Sequence, residues 1–341
     1  VWLLVALTGA VTMLMAVFYP NFRAPDELPQ VGLVVSVAQR SVDWQPGSMH
    51  MPLGVQKAPL QSPNRLHGSL HLGKGNVPSR DARPNYEQLG GAKPTHFINY
   101  IAQHPPLYYL SLGSALSVIP HWRTMPFDRV VLLLRLITAL MILPVPWFLY
   151  AAARTLGGSR GIATAAAATP LMSPQLIHIS SAVNNDALLT LLGSAAVFLA
   201  AGVYRGDLSR RRVGQLGVLC AAITLTKGFG LVVALLVVAL YVISLVRHRA
   251  GQGLLRPLLR CTAWFAPPVL LASTWWIGND LQYQRIQPDG TLPPSRQHEC
   301  RCRTRPSRSR AKPSSGSGST DSPRGFGSTT RAAHCTAAPC M

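Results

Sequence analysis

The chain has 341 residues, 48% of them hydrophobic and 13% charged, and its 32 Lys and Arg against 12 Asp and Glu give a formal net charge of +20. Soluble domains run nearer a quarter charged, and the apolar residues here fall in blocks approaching the roughly 20 that one helix needs to cross a bilayer, which excludes an ordinary soluble domain. The basic excess does not point to nucleic acid: nine of the 32 lie after Gly290 and most of the rest sit in short loops between apolar blocks, whereas a nucleic-acid-binding protein gathers them on one folded basic face.

Residues 1–19 form the first expected transmembrane helix, uncharged and ending in Phe18 and Tyr19, as a span reaching an interface does. A signal peptide would carry a basic leading region and a small-x-small cleavage site; neither is present, so an uncleaved span is the reading, and the start at Val1 points to a missing N-terminus or a non-standard start codon. Residues 20–128 read as a large extracytoplasmic loop. Its stretch 20–103 is polar and rich in Pro, Gly and His, with no apolar run long enough to cross. Residues 107–119 are apolar but too short to span. Bracketed by Pro105-Pro106 and Pro120, they predict an interfacial helix over 106–119, with Tyr108 and Tyr109 at headgroup depth.

Six apolar blocks follow, at 130–153, 161–181, 187–204, 213–226, 228–246 and 261–278, giving a six-helix transmembrane region over 129–280. Loops bearing Arg154 and Arg160, then Arg205 with Arg210, Arg211 and Arg212, then Arg247, Arg249, Arg256 and Arg260, alternate with nearly neutral connections at 182–186 and Lys227. Short basic loops stay in the cytoplasm. The expectation is therefore an all-α polytopic protein of the cell membrane, with about seven transmembrane helices and a large extracytoplasmic first loop. Block 213–226 makes only about 21 Å of helix against a ~30 Å core. Reading it as half of one crossing would push the 247–260 loop outside, so two crossings joined by a tight hairpin at Thr226-Lys227-Gly228 are expected.

From Thr291 the composition turns abruptly to Arg, Ser, Pro, Gly and Thr. A disordered basic tail is one reading of 291–341. A shifted reading frame or truncation is the other, favoured by the suddenness and by Cys300, Cys302, Cys335 and Cys340 appearing there. Their spacing fits no zinc site and implies no disulfide, while Cys220 and Cys261 read as ordinary core thiols.

Five places carry candidate chemistry. Asp26-Glu27, just beyond the first span, pairs two carboxylates that suit a general base activating a hydroxyl, or are simply two solvated loop acids. His104, before Pro105-Pro106-Leu107, suits an anion contact or a proton relay, or marks a loop-to-helix boundary. Asn184-Asn185-Asp186 opens a span, where such residues ordinarily cap helices. Arg135 and Lys227 sit close to apolar runs. Each suits a lipid phosphate, Arg through its bidentate fork, or snorkels to the interface. In the expected topology all of them lie near the outer membrane surface.

In order, an Asp-Glu pair after the first span, His-Pro-Pro-Leu, an Arg early in the second span, Asn-Asn-Asp before a later span, and Thr-Lys-Gly resemble the GT-C membrane glycosyltransferases. Relatives of that type are the protein O-mannosyltransferases and the lipid A aminoarabinose transferases. The closest look is to a bacterial family of multi-spanning membrane proteins carrying His-Pro-Pro-Leu-Tyr-Tyr and Asn-Asn-Asp-Ala-Leu. The resemblance covers about residues 1–280 and implies a polyprenyl-phosphate-linked sugar donor with an acceptor on the outer face. It also implies inverting transfer with Asp26 as base and Glu27 its neighbour, and His104, Arg135 and Lys227 near the donor phosphate. Asp186 would position the acceptor or the loop, with Asn185 beside it among the substrate-binding residues. The metal requirement varies across the superfamily: a divalent metal is left open, and no ligand cluster demands one. The hydrophobic pattern stops after Gly278, where family members carry several further spans. A transporter or flippase for a lipid-linked or anionic substrate, and a non-catalytic fragment, stand as alternatives. The first would set its charges near the bilayer midplane in broken helices.

Overall fold

The computed structural model describes residues 1–42, 44, 45, 47–61, 82–249 and 255–288. The expected tail at 291–341 lies outside them. Helix α1 spans Trp2–Phe18 and α2 spans Glu27–Ala38. A short strand β1, His50–Pro52, runs straight into α3, Leu53–Lys57, and pairs antiparallel with β2, Pro94–Ile98. A 3-10 helix at Tyr100–Gln103 leads into α4, Leu107–Ser117.

The segment after α1 thus contributes to a hydrophobic core, shared with Val130, Val131 and Leu134 of the helix from Phe127 and with Val183, which its polar composition did not announce. Val31, Leu33, Val34 and Val35 of α2 are buried against Met51, Val55, Tyr86, Tyr108, Tyr109, Leu112 and Phe127. The apolar run of α2 is too short to cross a membrane, yet long enough to bury one helix inside a protein. Helix α4 packs on α2 at close range: a Cβ on Gly113 would meet Val37 Cβ at 2.5 Å.

This packing bears on one expectation. Tyr108 and Tyr109, expected at headgroup depth, are both fully buried within the protein. Tyr108 Oη is 2.9 Å from Thr138 Oγ1, and Tyr109 donates to Gln30 Oε1 at 3.3 Å. A phenol with an internal partner is accommodated inside a protein without an unsatisfied hydroxyl.

The remaining helices are α5 (Phe127–Leu140), α6 (Val145–Thr155), α7 (Arg160–Ala168), α8 (Pro174–Ser180), α9 (Asp186–Tyr204), α10 (Arg210–Thr224), α11 (Gly230–Arg249) and α12 (Leu255–Tyr283). Two blocks expected to be single helices are interrupted. Pro144 and Pro146 divide the first into α5 and α6. Pro170 and the Ser173-Pro174 pair divide the second: Ser173 caps α8 by accepting from Leu176 N, with Pro at the start of the helix. Helix α12 instead runs 29 residues through Pro267 and Pro268.

Among the described residues three stretches are long and apolar enough to cross a membrane: Phe127–Thr155, which joins α5 and α6, Asp186–Tyr204 and Gly230–His248; α1 is apolar but shorter. A second core holds Val213, Leu216, Cys220 and Ile223 of α10 against Val237, Tyr241 and Leu245 of α11 and Cys261 of α12. Helices α10 and α12 touch closely, because a Cβ on Gly217 would lie 2.7 Å from the Phe265 carbonyl oxygen.

Candidate active site

At the end of α1 the chain turns through residues 19–26, with Phe22 and Asp26 in the left-handed region at φ 62° and 58°. Asp tolerates that conformation better than most residues. Asp26 occupies the N-cap of α2, but its side chain makes no capping hydrogen bond. The two neighbouring carboxylates therefore part: Asp26 is exposed and Glu27 is sealed inside.

Glu27 is held by Arg135. Arg135 Nε donates to Oε1 at 2.6 Å and Nη2 donates to Oε2 at 2.7 Å, a bidentate fork between two fully buried side chains. The backbone N–H groups of Phe22 (2.6 Å) and Val183 (3.3 Å) donate to the same carboxylate. The rest of the guanidinium is also engaged: Nη1 donates to the carbonyls of Ala16 (3.1 Å) and Tyr19 (2.6 Å), and Nη2 to that of Pro20 (3.0 Å). Arg135 was expected at a lipid phosphate. With its five N–H groups directed to protein oxygens it has none to offer one, and it lies beneath the surface, joining α1, α2, α5 and the turn before α9.

Asp26 faces the other way. Its Oδ1 accepts from Tyr100 Oη at 2.6 Å, while Oδ2 has no partner among the described residues. Tyr100 opens the 3-10 helix, and Asn99 fixes that turn: its Oδ1 accepts from Ile101 N at 3.1 Å and its Nδ2 donates to the Pro29 carbonyl of α2 at 2.8 Å. The turn ends at His104, whose Nδ1 is buried without a partner among the described residues. Two prolines then start α4, and Leu107 N donates to the Leu225 carbonyl at the end of α10, at 3.0 Å.

That bond brings the α10–α11 turn beside the first loop. Lys227 Nζ in this turn lies 2.6 Å from Asp186 Oδ1 at the start of α9, with the two side chains 22% and 28% exposed. Asn185 N donates to Gln30 Oε1 at 3.1 Å and Asn185 Nδ2 donates to the Thr226 carbonyl at 3.3 Å, so α2, α9 and the turn are tied through one residue, by its backbone and its side chain. Asn184 Oδ1 accepts from Asp186 N at 2.9 Å.

Four of the seven sequence candidates, Asp26, His104, Asp186 and Lys227, come together. Burial, reinforced by the Lys227 cation, lowers His104 to about 4, with Asp186 and Asp26 pulling the other way. The imidazole is neutral at neutral pH, beside a fixed ion pair and an exposed carboxylate. Asn185 binds the group together from beneath. Glu27 and Arg135 belong to its buried support. Sequence reasoning missed Tyr100, Asn99 and Gln30. None sits in a motif, although Tyr100 lies just four residues before His104. Among the described residues no three His, Cys, Asp or Glu side chains form a group able to hold a metal ion.

A helical chain with apolar stretches of membrane-spanning length, and with a carboxylate, an imidazole and a cation gathered where its helices meet the segment after α1, has the character of a membrane protein with a polar site. Residues 103–277, just over half the chain, match the family described as dolichyl-phosphate-mannose-protein mannosyltransferase, and the chain belongs to that family of GT-C membrane glycosyltransferases. The matched stretch begins one residue before His104 and contains Arg135, Asn185, Asp186 and Lys227; Asp26 and Glu27 precede it. Neither a curated protein nor a solved structure shows a significant match.

Proposed function

We propose that this protein transfers a sugar from a polyprenyl-phosphate-linked donor to an acceptor hydroxyl on the outer face of the cell membrane, with Asp26 as general base. The observation that carries this reading is the exposed Asp26 carboxylate, with one oxygen held and the other without a partner among the described residues, within electrostatic reach of the His104, Asp186 and Lys227 group. The acceptor oxygen attacks the anomeric carbon from the side opposite the phosphate, and its proton passes to Asp26 Oδ2. The bond from the anomeric carbon to the phosphate oxygen breaks, and its electron pair leaves with the polyprenyl phosphate. Lys227 faces that departing charge with the N–H groups not given to Asp186, and neutral His104 donates to a phosphate oxygen through a ring N–H.

Glu27 is then no second base: it shares its charge with Arg135 and holds the floor of the site. The about-seven-span topology, with the first loop and the α10–α11 turn outside, belongs to the same proposal, as do the division at residues 20–128 and 129–280 and a bacterial plasma-membrane setting. The three basic loops support it. The family's description, which names dolichyl-phosphate-mannose and protein, supplies the first donor to try, polyprenyl-phosphate-linked mannose; a peptide bearing Ser and Thr hydroxyls is the acceptor we would pair with it. Asp26→Asn in lipid nanodiscs should abolish transfer while leaving insertion intact. Full transfer by that variant removes Asp26 from the role of base.

A further inference from the structure

We infer that Tyr100 is the positioning residue of the transfer reaction, holding the Asp26 carboxylate so that Oδ2 alone is presented to the acceptor hydroxyl. The inference rests on the reading of Asp26 as base and goes beyond it, because it names what aims that base.

Three features carry it. The first is the hydrogen bond itself, Tyr100 Oη to Asp26 Oδ1 at 2.6 Å, short and charge-assisted, between residues 74 positions apart in the chain. The second is the side chain's conduct at the helix start. Asp at an N-cap ordinarily turns its oxygen back to the helix N–H groups. Here the residue sits at φ 58° and makes no capping bond, so it is Tyr100, not the helix, that holds the carboxylate. The third is the rigidity of the arm that bears Tyr100. Asn99 binds the 3-10 turn to the Pro29 carbonyl of α2 at 2.8 Å, three residues from Asp26. Base and phenol are therefore mounted on two segments fastened to each other.

The carboxylate is exposed, and without an anchor its torsions would be free. A base must lie within hydrogen-bond reach of the proton it takes, and loss of orientation lowers the rate even where affinity is untouched. With Oδ1 engaged, Oδ2 is the oxygen left to accept the proton. Burial, and then the bond to Asp26, raises the Tyr100 phenol to about 12, so it stays a donor throughout the working pH range.

The test uses the full chain in nanodiscs, with polyprenyl-phosphate-linked mannose as donor and a Ser/Thr-rich peptide as acceptor. Tyr100→Phe keeps the ring and removes the hydroxyl. Its kcat should fall roughly tenfold to a hundredfold, the effect of losing one hydrogen bond to a charged group. KM for the donor and the thermal unfolding midpoint should be unchanged. Tyr100→Gln, which restores an N–H donor, should recover part of kcat. Wild-type kcat in Tyr100→Phe, beside an inactive Asp26→Asn, overturns the role of Tyr100 and leaves the base in place. An active Asp26→Asn overturns the base, and the role of Tyr100 with it. Equal losses in Tyr100→Phe and Tyr100→Gln, accompanied by a raised donor KM or a lowered midpoint, show a structural role and overturn the inference.

Discussion

Glu27 and Arg135 meet through two hydrogen bonds of 2.6 and 2.7 Å, with both side chains wholly removed from solvent. A buried pair of this kind is costly to break from one side, because the survivor keeps its charge without its partner. Arg135→Met and Glu27→Gln should each lower stability by about 3–5 kcal/mol, read as loss of folded protein in a denaturant titration in detergent. The double replacement Glu27→Leu with Arg135→Met should recover some of that but not all. The carbonyls of Ala16, Tyr19 and Pro20 and the N–H groups of Phe22 and Val183 would still lose their partners. Full recovery would mean that those backbone groups contribute nothing.

His104 gives the fold a defined sensitivity to acid. Its value falls from the usual 6.5 to about 4 on burial. Between those limits the unfolded chain binds a proton that the folded chain refuses. The contribution is therefore complete above about pH 6.5, declines as pH falls towards 4, and levels off below. The whole span amounts to roughly 3 kcal/mol before allowance for partial exposure. Unfolding midpoints measured from pH 7.5 to 4 should show that decline, and His104→Asn should flatten it. Removing the cation with Lys227→Met should raise the His104 value and so reduce the loss.

Lys227 and Asp186 make opposite predictions for the donor. Lys227→Met should weaken binding of polyprenyl phosphate by about tenfold to a hundredfold, the worth of a hydrogen bond to a charged group. Asp186→Asn leaves Lys227 in place and frees its ammonium from the 2.6 Å contact. That variant should bind the phosphate as well as the wild type or better, yet hold it in a poorer geometry, lowering kcat. Equal weakening by both substitutions would indicate that the pair only supports the fold.

The close approach of α10 and α12 depends on the missing side chain of Gly217. A Cβ there lies 2.7 Å from a backbone oxygen, which cannot rotate away as a side chain could. Gly217→Val should separate the two helices and cost on the order of 1–3 kcal/mol, the range for overpacked interiors. A protease-susceptibility assay in nanodiscs, following cleavage near the start of α12, would report the separation.

The parts of this site that could be read from the sequence are those that interrupt an apolar run. His104 precedes two prolines, Asp186 opens a helix, and Lys227 stands between two blocks, so each is visible as a break in periodicity. Arg135 was equally visible as a charge within a span. Its partner was not, because nothing in the pair Asp26-Glu27 says which carboxylate turns inward; the left-handed turn at Asp26 decides that. Tyr100 was hidden for a similar reason, since its bond to Asp26 exists only once Asn99 has tied the 3-10 turn to α2. Helix α2 and the core around Tyr86 and Phe127 were read as polar loop because the apolar residues that form that core are scattered from Val31 to Val183. Short-range pattern does not register such pairings. The interrupted helices were legible in their prolines, but block length alone merged them.

The bond from Leu107 N to the Leu225 carbonyl, which seats the α10–α11 turn beside His104, has a consequence in time. During synthesis Asp26, Tyr100 and His104 emerge long before Asp186, and Lys227 comes last. Until the ribosome has delivered that turn, the early half of the site is an exposed carboxylate and an imidazole without the cation that completes them. On the proposed reading, a nascent chain would be inert towards the donor until α10, the turn with Lys227 and α11 have been made.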